Sequence, residues 1–228
     1  RPRIAEWLTD ALGKGSVVGF DPWLHTVSEI ARLTAALAPK GITLKPLPKN
    51  PIDILWGEAR PAPPAAPVIV QPLALAGRSA ADKIADLQRR LKEDGHHAAV
   101  LTLPDSICWL LNIRGSDVAH NPVVLAFAIV PAAGKAELFV DPAKINADAR
   151  AHLAAVAKIS TPDQLKERLV ALRDAGRTVR LDFDTAAHWF ERTLGTKTIV
   201  RGQDPCILPK AIKSAAEIDG SRNAHERD

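Results

Sequence analysis

An order of elements that occurs twice constrains this chain more than any single motif. Residues 2–56 read as a helix opening at Pro2 with Ile4, Leu8 and Leu12 on one face, a stop at Gly13 and Gly15, and a strand over 16–20. A helix, a strand over 41–47 and a short element after Asn50-Pro51 follow. Residues 162–209 read in the same order. A helix from Pro162 carries Leu165, Leu169 and Leu172, Gly176 stops it, and a strand places Val179, Leu181 and Phe183 on one face. A short helix, a strand over 197–200 and Asp204-Pro205 complete the set. Phe20-Asp21 and Phe183-Asp184 are read as equivalent, as are Asn50-Pro51 and Asp204-Pro205. The pattern is one α/β fold used twice.

The second copy has more in front of it. Ser79 opens a helix whose Ile84, Leu87 and Leu91 form a core stripe against a polar face of Lys83, Asp86, Arg89 and Arg90. After Gly95 come a strand over 97–103, a short helix from Asp105, and two β-rich runs joined at Pro131–Lys135, which reads as a hairpin. Thr26 with Glu29 and Thr161 with Gln164 fit the capping box, and Ser79 with Asp82 fits it more loosely. The expected organisation is therefore the back half of a first domain over 1–60, a Pro/Ala-rich linker without a core over 61–77, and a complete second domain over 78–209. Residues 210–228 begin a further element. The front half missing from the first domain implies roughly eighty residues ahead of Arg1.

Composition excludes several function classes. The net charge of +4 and pI near 9.2 arise from 30 basic and 26 acidic residues mixed along the chain, and aromatic platforms are few, with 5 Phe, 5 Trp and no Tyr. Nucleic acid is not the expected partner. No apolar run approaches the ~20 residues of a membrane helix, so the chain reads as a soluble, cytoplasmic protein with no membrane partner. Cys108 and Cys206 have no metal-like spacing and read as buried thiols of a reducing compartment. The 7 His form no H-E-x-x-H or His-x-His pattern, and no G-x-S-x-G elbow occurs. "GKGS" at 13–16 lies between helix and strand, the reverse of a phosphate cradle.

One polar constellation remains, Asn112-Ile-Arg114-Gly-Ser-Asp117-Val-Ala-His120-Asn121-Pro122, between two apolar runs. In a functional reading Arg114 presents its planar fork to a carboxylate or carbonyl, assisted by Asn112, Asp117, His120 and Asn121. In a structural reading Gly115 makes a turn, Asp117 or Asn121 closes it, Pro122 stiffens it, and Arg114 pairs with a nearby acid. Residue types alone leave both open.

The stretch "DSICWLLNIRGSDVAHNPV" at 105–123 resembles a second-domain signature of Xaa-Pro aminopeptidases, in the creatinase/prolidase superfamily. "VGFDPWLHT" at 18–26, "NPIDILWGEARPAPP" at 50–64, "AGRSAADKIADLQRRLKEDG" at 76–95 and "LPKAIKSAAEIDGSRNAHERD" at 208–228 match in the same order. The resemblance implies two related creatinase/prolidase N-terminal-type domains with mixed β-sheets and flanking helices, the first incomplete, and a pita-bread catalytic domain beginning at 210–228. It implies hydrolysis of the bond before a proline at second position by two divalent metals, manganese among them, held by Asp, Asp, His, Glu and Glu beyond Asp228. No catalytic residue and no metal ligand is expected within this chain, and by that comparison His225 is not a ligand. A peptide with Pro at second position and a second copy of the protein are the implied partners. Prolidase- or creatinase-type chemistry, or a binding protein that kept only the fold, are the rival expectations. The polar loop Asn112–Asn121 is expected at the cleft mouth or facing the next domain.

Overall fold

The computed structural model describes residues 3–227, which fall into two compact units, one of Arg1–Pro63 with Phe183–Arg192 and one of Pro64–Asp182 with Thr193–Asp228. In the first unit α1 (Ile4–Ala11), β1 (Val17–Phe20), α2 (Val27–Leu37), β2 (Thr43–Pro46) and α3 (Pro51–Trp56) follow in the expected order. Pro2, where the first helix was expected to open, lies outside the described residues. β1 and β2 pair in parallel, Val17 opposite Thr43. Helical spacing and strand alternation bring Leu8, Leu37 and Ile42 into one small core. Thr26 forms the complete capping box with Glu29 at the start of α2. Asn50 caps α3, whose first residue, Pro51, has no N–H to leave unsatisfied.

The second unit opens with β3 (Ile69–Val70), α4 (Leu73–Ala76), α5 (Ala80–Glu93), β4 (Ala98–Leu101), α6 (Pro104–Leu111) and β5 (Ile113–Arg114). It continues through β6 (Phe127–Pro131), β7 (Ala136–Phe139), α7 (Ala147–Ala154), β8 (Ala157–Ser160), α8 (Gln164–Asp174) and β9 (Val179–Leu181). Then come α9 (His188–Leu194), β10 (Ile199–Arg201), α10 (Ile207–Ala211) and α11 (Ala215–His225). Six strands make a mixed sheet in the order β10-β9-β4-β6-β7-β8. β4–β6 and β6–β7 are antiparallel and the other neighbours parallel, so only the hairpin turn joins strands without a crossover. Ile84, Leu87 and Leu91 of α5, all at most 5% exposed, pack with α6 onto this sheet. Each such side chain contributes about 1.5–3 kcal/mol of burial.

The repeat is visible in the topology: α8-β9-α9-β10-α10 follows the order of α1-β1-α2-β2-α3, and both strand pairs are parallel. Its register differs from the sequence reading. Asp21 accepts a hydrogen bond from Asn50 Nδ2 (2.8 Å), and it is Asp182, not Asp184, that accepts from the N–H of Asp204 (2.8 Å). Each of these acids directly follows its strand, and α2 and α9 then begin at the matching positions Val27 and His188. Phe183–Arg192, expected within the second domain, groups with the first unit. There Val27 N–H donates to Ala186 O and His188 N–H to His25 O, a reciprocal pair that the register with Asp182 makes equivalent.

Three further expectations change. Of the linker over 61–77, the core-less part stops before Val68, which is fully buried, donates to Lys144 O and accepts from Asn146 Nδ2. Ile69–Val70 then pairs with Ile113–Arg114. A short β-branched run found partners that Pro/Ala composition does not foretell. Residues 123–126, expected in the first run of the hairpin, lie outside any strand although Val123 and Val124 are buried. Lys83, assigned to a solvent face, is only 4% exposed.

Candidate functional site

α6 dictates the geometry of the polar loop. Pro104 starts it, Ser106–Leu111 are all buried, and it ends at Asn112, whose φ of 51° is the left-handed conformation that asparagine tolerates at helix ends. Every polar group of Asn112 is used. Its Oδ1 accepts from Lys83 Nζ (2.8 Å), its Nδ2 donates to Arg78 O (2.8 Å), and its carbonyl accepts from Gln71 N–H (2.8 Å). Lys83 Nζ also donates to Trp109 O (3.0 Å) and lies 4.4 Å from the centre of the Trp109 ring. Burial lowers the Lys83 pKa to about 8, with nearby Glu217 opposing and Arg114 and Arg78 adding to the shift. Asn112 thus serves the framework of the loop, with its side chain bonded inside the second unit.

Asp117 is also framework. Its Oδ2 accepts from Lys144 Nζ (2.8 Å) and from Leu125 N–H (2.7 Å), and the two charged side chains are 0% and 5% exposed. Gly115 beside it is sterically required, because a Cβ there would stand 2.7 Å from Val124 Cγ2 and 3.0 Å from Val123 O. The turn that follows carries His120 at φ 59° and closes with Asn121 N–H donating to Val118 O. His120 is exposed and is not among the residues that line the cavity at Arg114.

Arg114 differs from these. Its Nη1 donates to Cys108 O (3.3 Å) and Ile113 O (2.8 Å), and among the described residues no carboxylate pairs with it, so the nearby acid of the structural reading is not its partner. It lines a cavity of about 680 Å³ in the second unit, together with Asn121, Trp109, Lys213, Glu217 and Arg227. Lys210 on the same wall is ion-paired with Asp105. Of the five sequence candidates, only Arg114 and Asn121 share this space. Lys213, Glu217 and Arg227 come from α11 and the residues just before and just after it, about a hundred residues along the chain, and no local pattern linked them to the loop. Both cysteines are free and buried. Burial raises both thiols, Cys206 well above the usual range, so neither is poised as a thiolate nucleophile.

Residues 59–217 match the Creatinase/Prolidase N-terminal domain family, and the chain belongs to it. Over its whole length it is similar to proteins described as "Probable Xaa-Pro aminopeptidase P". It is 34% identical over 235 residues to that of Arthroderma gypseum and 36% identical over 235 residues to that of Neosartorya fischeri. It spans 37% and 36% of those proteins, just over a third of their length. The crystal structure of X-prolyl aminopeptidase from Caenorhabditis elegans, described as a cytosolic enzyme with a di-nuclear active site, matches 98% of this chain and 37% of that one. The TM-score is 0.90 at 28% identity. Among the described residues no group of three or more His, Cys, Asp or Glu could hold a metal ion. No described helix is long and apolar enough to cross a membrane.

Proposed function

We propose that this chain is the non-catalytic N-terminal part of a cytoplasmic metal-dependent aminopeptidase that removes the first residue from peptides with proline in second position. The observation that supports this most directly is similarity along 100% of the chain to Xaa-Pro aminopeptidases of which it spans just over a third. Such a bond calls for its own enzyme, because the proline nitrogen carries no N–H and its ring fixes φ. Two metal ions, manganese in this reading, would be held by ligands outside the described residues and would supply Lewis-acid chemistry at the scissile carbonyl. What this chain contributes is a wall. Asn112 and the Asp117–Lys144 pair hold the loop, Arg114 is presented at a cavity, and α11 leads toward the catalytic part. The assembled enzyme is a homodimer in this reading, with the first unit supporting the contact.

The test compares purified residues 1–228 with a protein extended to the length of its relatives, each given a Xaa-Pro peptide with and without manganese. The extended protein is expected to cleave in a metal-dependent way and the chain alone to be inert. Cleavage by the chain alone would overturn the non-catalytic assignment, and an inactive extended protein would remove the aminopeptidase reading.

A further inference from the structure

The cavity at Arg114 has an uncompensated charge pattern. Six charged side chains line it, and two of them, Asp105 and Lys210, neutralise each other. Glu217 is engaged at the start of α11, where its Oε2 accepts from Ser214 N–H (2.8 Å) and Ser214 Oγ accepts from its own N–H. Glu217 keeps its negative charge, so Arg114, Lys213 and Arg227 leave the cavity with an excess of positive charge, and none of the three is in an ion pair among the described residues. Among the described residues Lys213 Nζ bonds a main-chain oxygen, that of Lys210 (2.6 Å).

The guanidinium of Arg114 is fixed in direction as well as charge. The carbonyls of Cys108 in α6 and Ile113 in β5 hold Nη1, and the left-handed residue before Ile113 is locked by Lys83 and Arg78 O. A planar fork held this way suits a carboxylate, which it can meet with two parallel hydrogen bonds. Around it the wall is apolar, with Leu75, Trp109, Pro122 and Val123. At about 680 Å³ the space lies within the range of small-ligand sites.

We propose that this cavity binds a carboxylate attached to an apolar body, with Arg114 as the receiving group, and that the ligand is the C-terminal carboxylate of a short peptide. The peptide part rests on the aminopeptidase reading; the carboxylate part rests on the cavity alone. A site that engages the free C-terminus admits short peptides in preference to long or C-terminally blocked ones.

The test is calorimetric titration of the 228-residue chain with acetyl-Pro-Phe, its C-terminal amide, 3-phenylpropionate and inorganic phosphate. The peptide acid is expected to bind about tenfold more tightly than the amide, and Arg114→Gln to reduce that preference to within about twofold. Because Arg114 also ties down two carbonyls, Lys213→Gln serves as the second variant; it removes one cation, keeps those bonds, and is expected to weaken the acid severalfold and the amide not at all. Equal binding of acid and amide, or phosphate binding as well as the acid, overturns the carboxylate site. If 3-phenylpropionate matches the peptide acid and both depend on Arg114, the carboxylate site stands and its assignment to peptides fails.

Discussion

Removing Lys144 tests whether the loop is held by a buried charge pair. Its Nζ lies 2.8 Å from Asp117 Oδ2, with side-chain exposures of 5% and 0%, and Asp117 Oδ1 has no hydrogen-bond partner. Lys144→Met leaves a carboxylate with one backbone N–H, that of Leu125, in place of its counterion. Breaking a buried pair from one side costs about 3–5 kcal/mol, a large share of the ~5–15 kcal/mol that holds a typical domain together. Replacing both partners relieves most of that cost, since no orphaned charge remains. Asp117→Asn with Lys144→Met is therefore expected to lie nearer wild type than either single variant, with a coupling of roughly 2–3 kcal/mol. Urea unfolding followed at Trp109, the one tryptophan of the second unit, measures all four proteins. Single variants that each lose under about 1 kcal/mol, or a double variant equal to the sum of the singles, would show that the pair behaves like an exposed one.

Two further perturbations follow from buried titratable groups. Lys83 has its pKa lowered from 10.5 to about 8, so between those values the unfolded chain binds more protons than the folded one and stability rises with pH. Wild type should gain up to about 3 kcal/mol over that window, and Lys83→Met should lack the gain; identical pH profiles would refute the burial argument. Asp204 has its pKa raised, first by burial and then by neighbouring Asp182, against the lowering influence of the Cys206 N–H and Ser106. The folded state thus holds that proton more tightly, and its contribution to stability is full below the ordinary 3.8 and lost as pH rises through the folded value. Asp204→Asn should therefore raise the melting temperature at neutral pH and flatten the acid side of the profile, and a lower melting temperature at pH 7 would sink the prediction.

That last substitution already exists inside the molecule, which bears on what the sequence made legible. At the matching position of the first unit Asn50 donates its amide to Asp21, and in the second unit an acid stands there beside Asp182. Element order was readable because apolar spacing, Gly stops and capping hydroxyls act over a few residues, and the repeat supplied the same signals twice. Register was not, because "LDFD" offers two acids after one strand, and long-range bonds such as that from Asp204 to Asp182 are what fix it. The same limit governed the loop. Asn112 and Asp117 have the residue types of a reactive site, yet they satisfy main-chain groups and one lysine each inside the second unit, and those lysines, Lys83 and Lys144, lie about thirty residues away in either direction. Arg114 has the opposite fate, since among the described residues no acid pairs with it, and that is set by the whole packed arrangement rather than by its neighbours in sequence. Polar residues in a loop are therefore separated into framework and function by where their hydrogen bonds end. Asn112 and Asp117 end in the protein, whereas the guanidinium of Arg114, alone among the charged residues of the loop, lines the cavity.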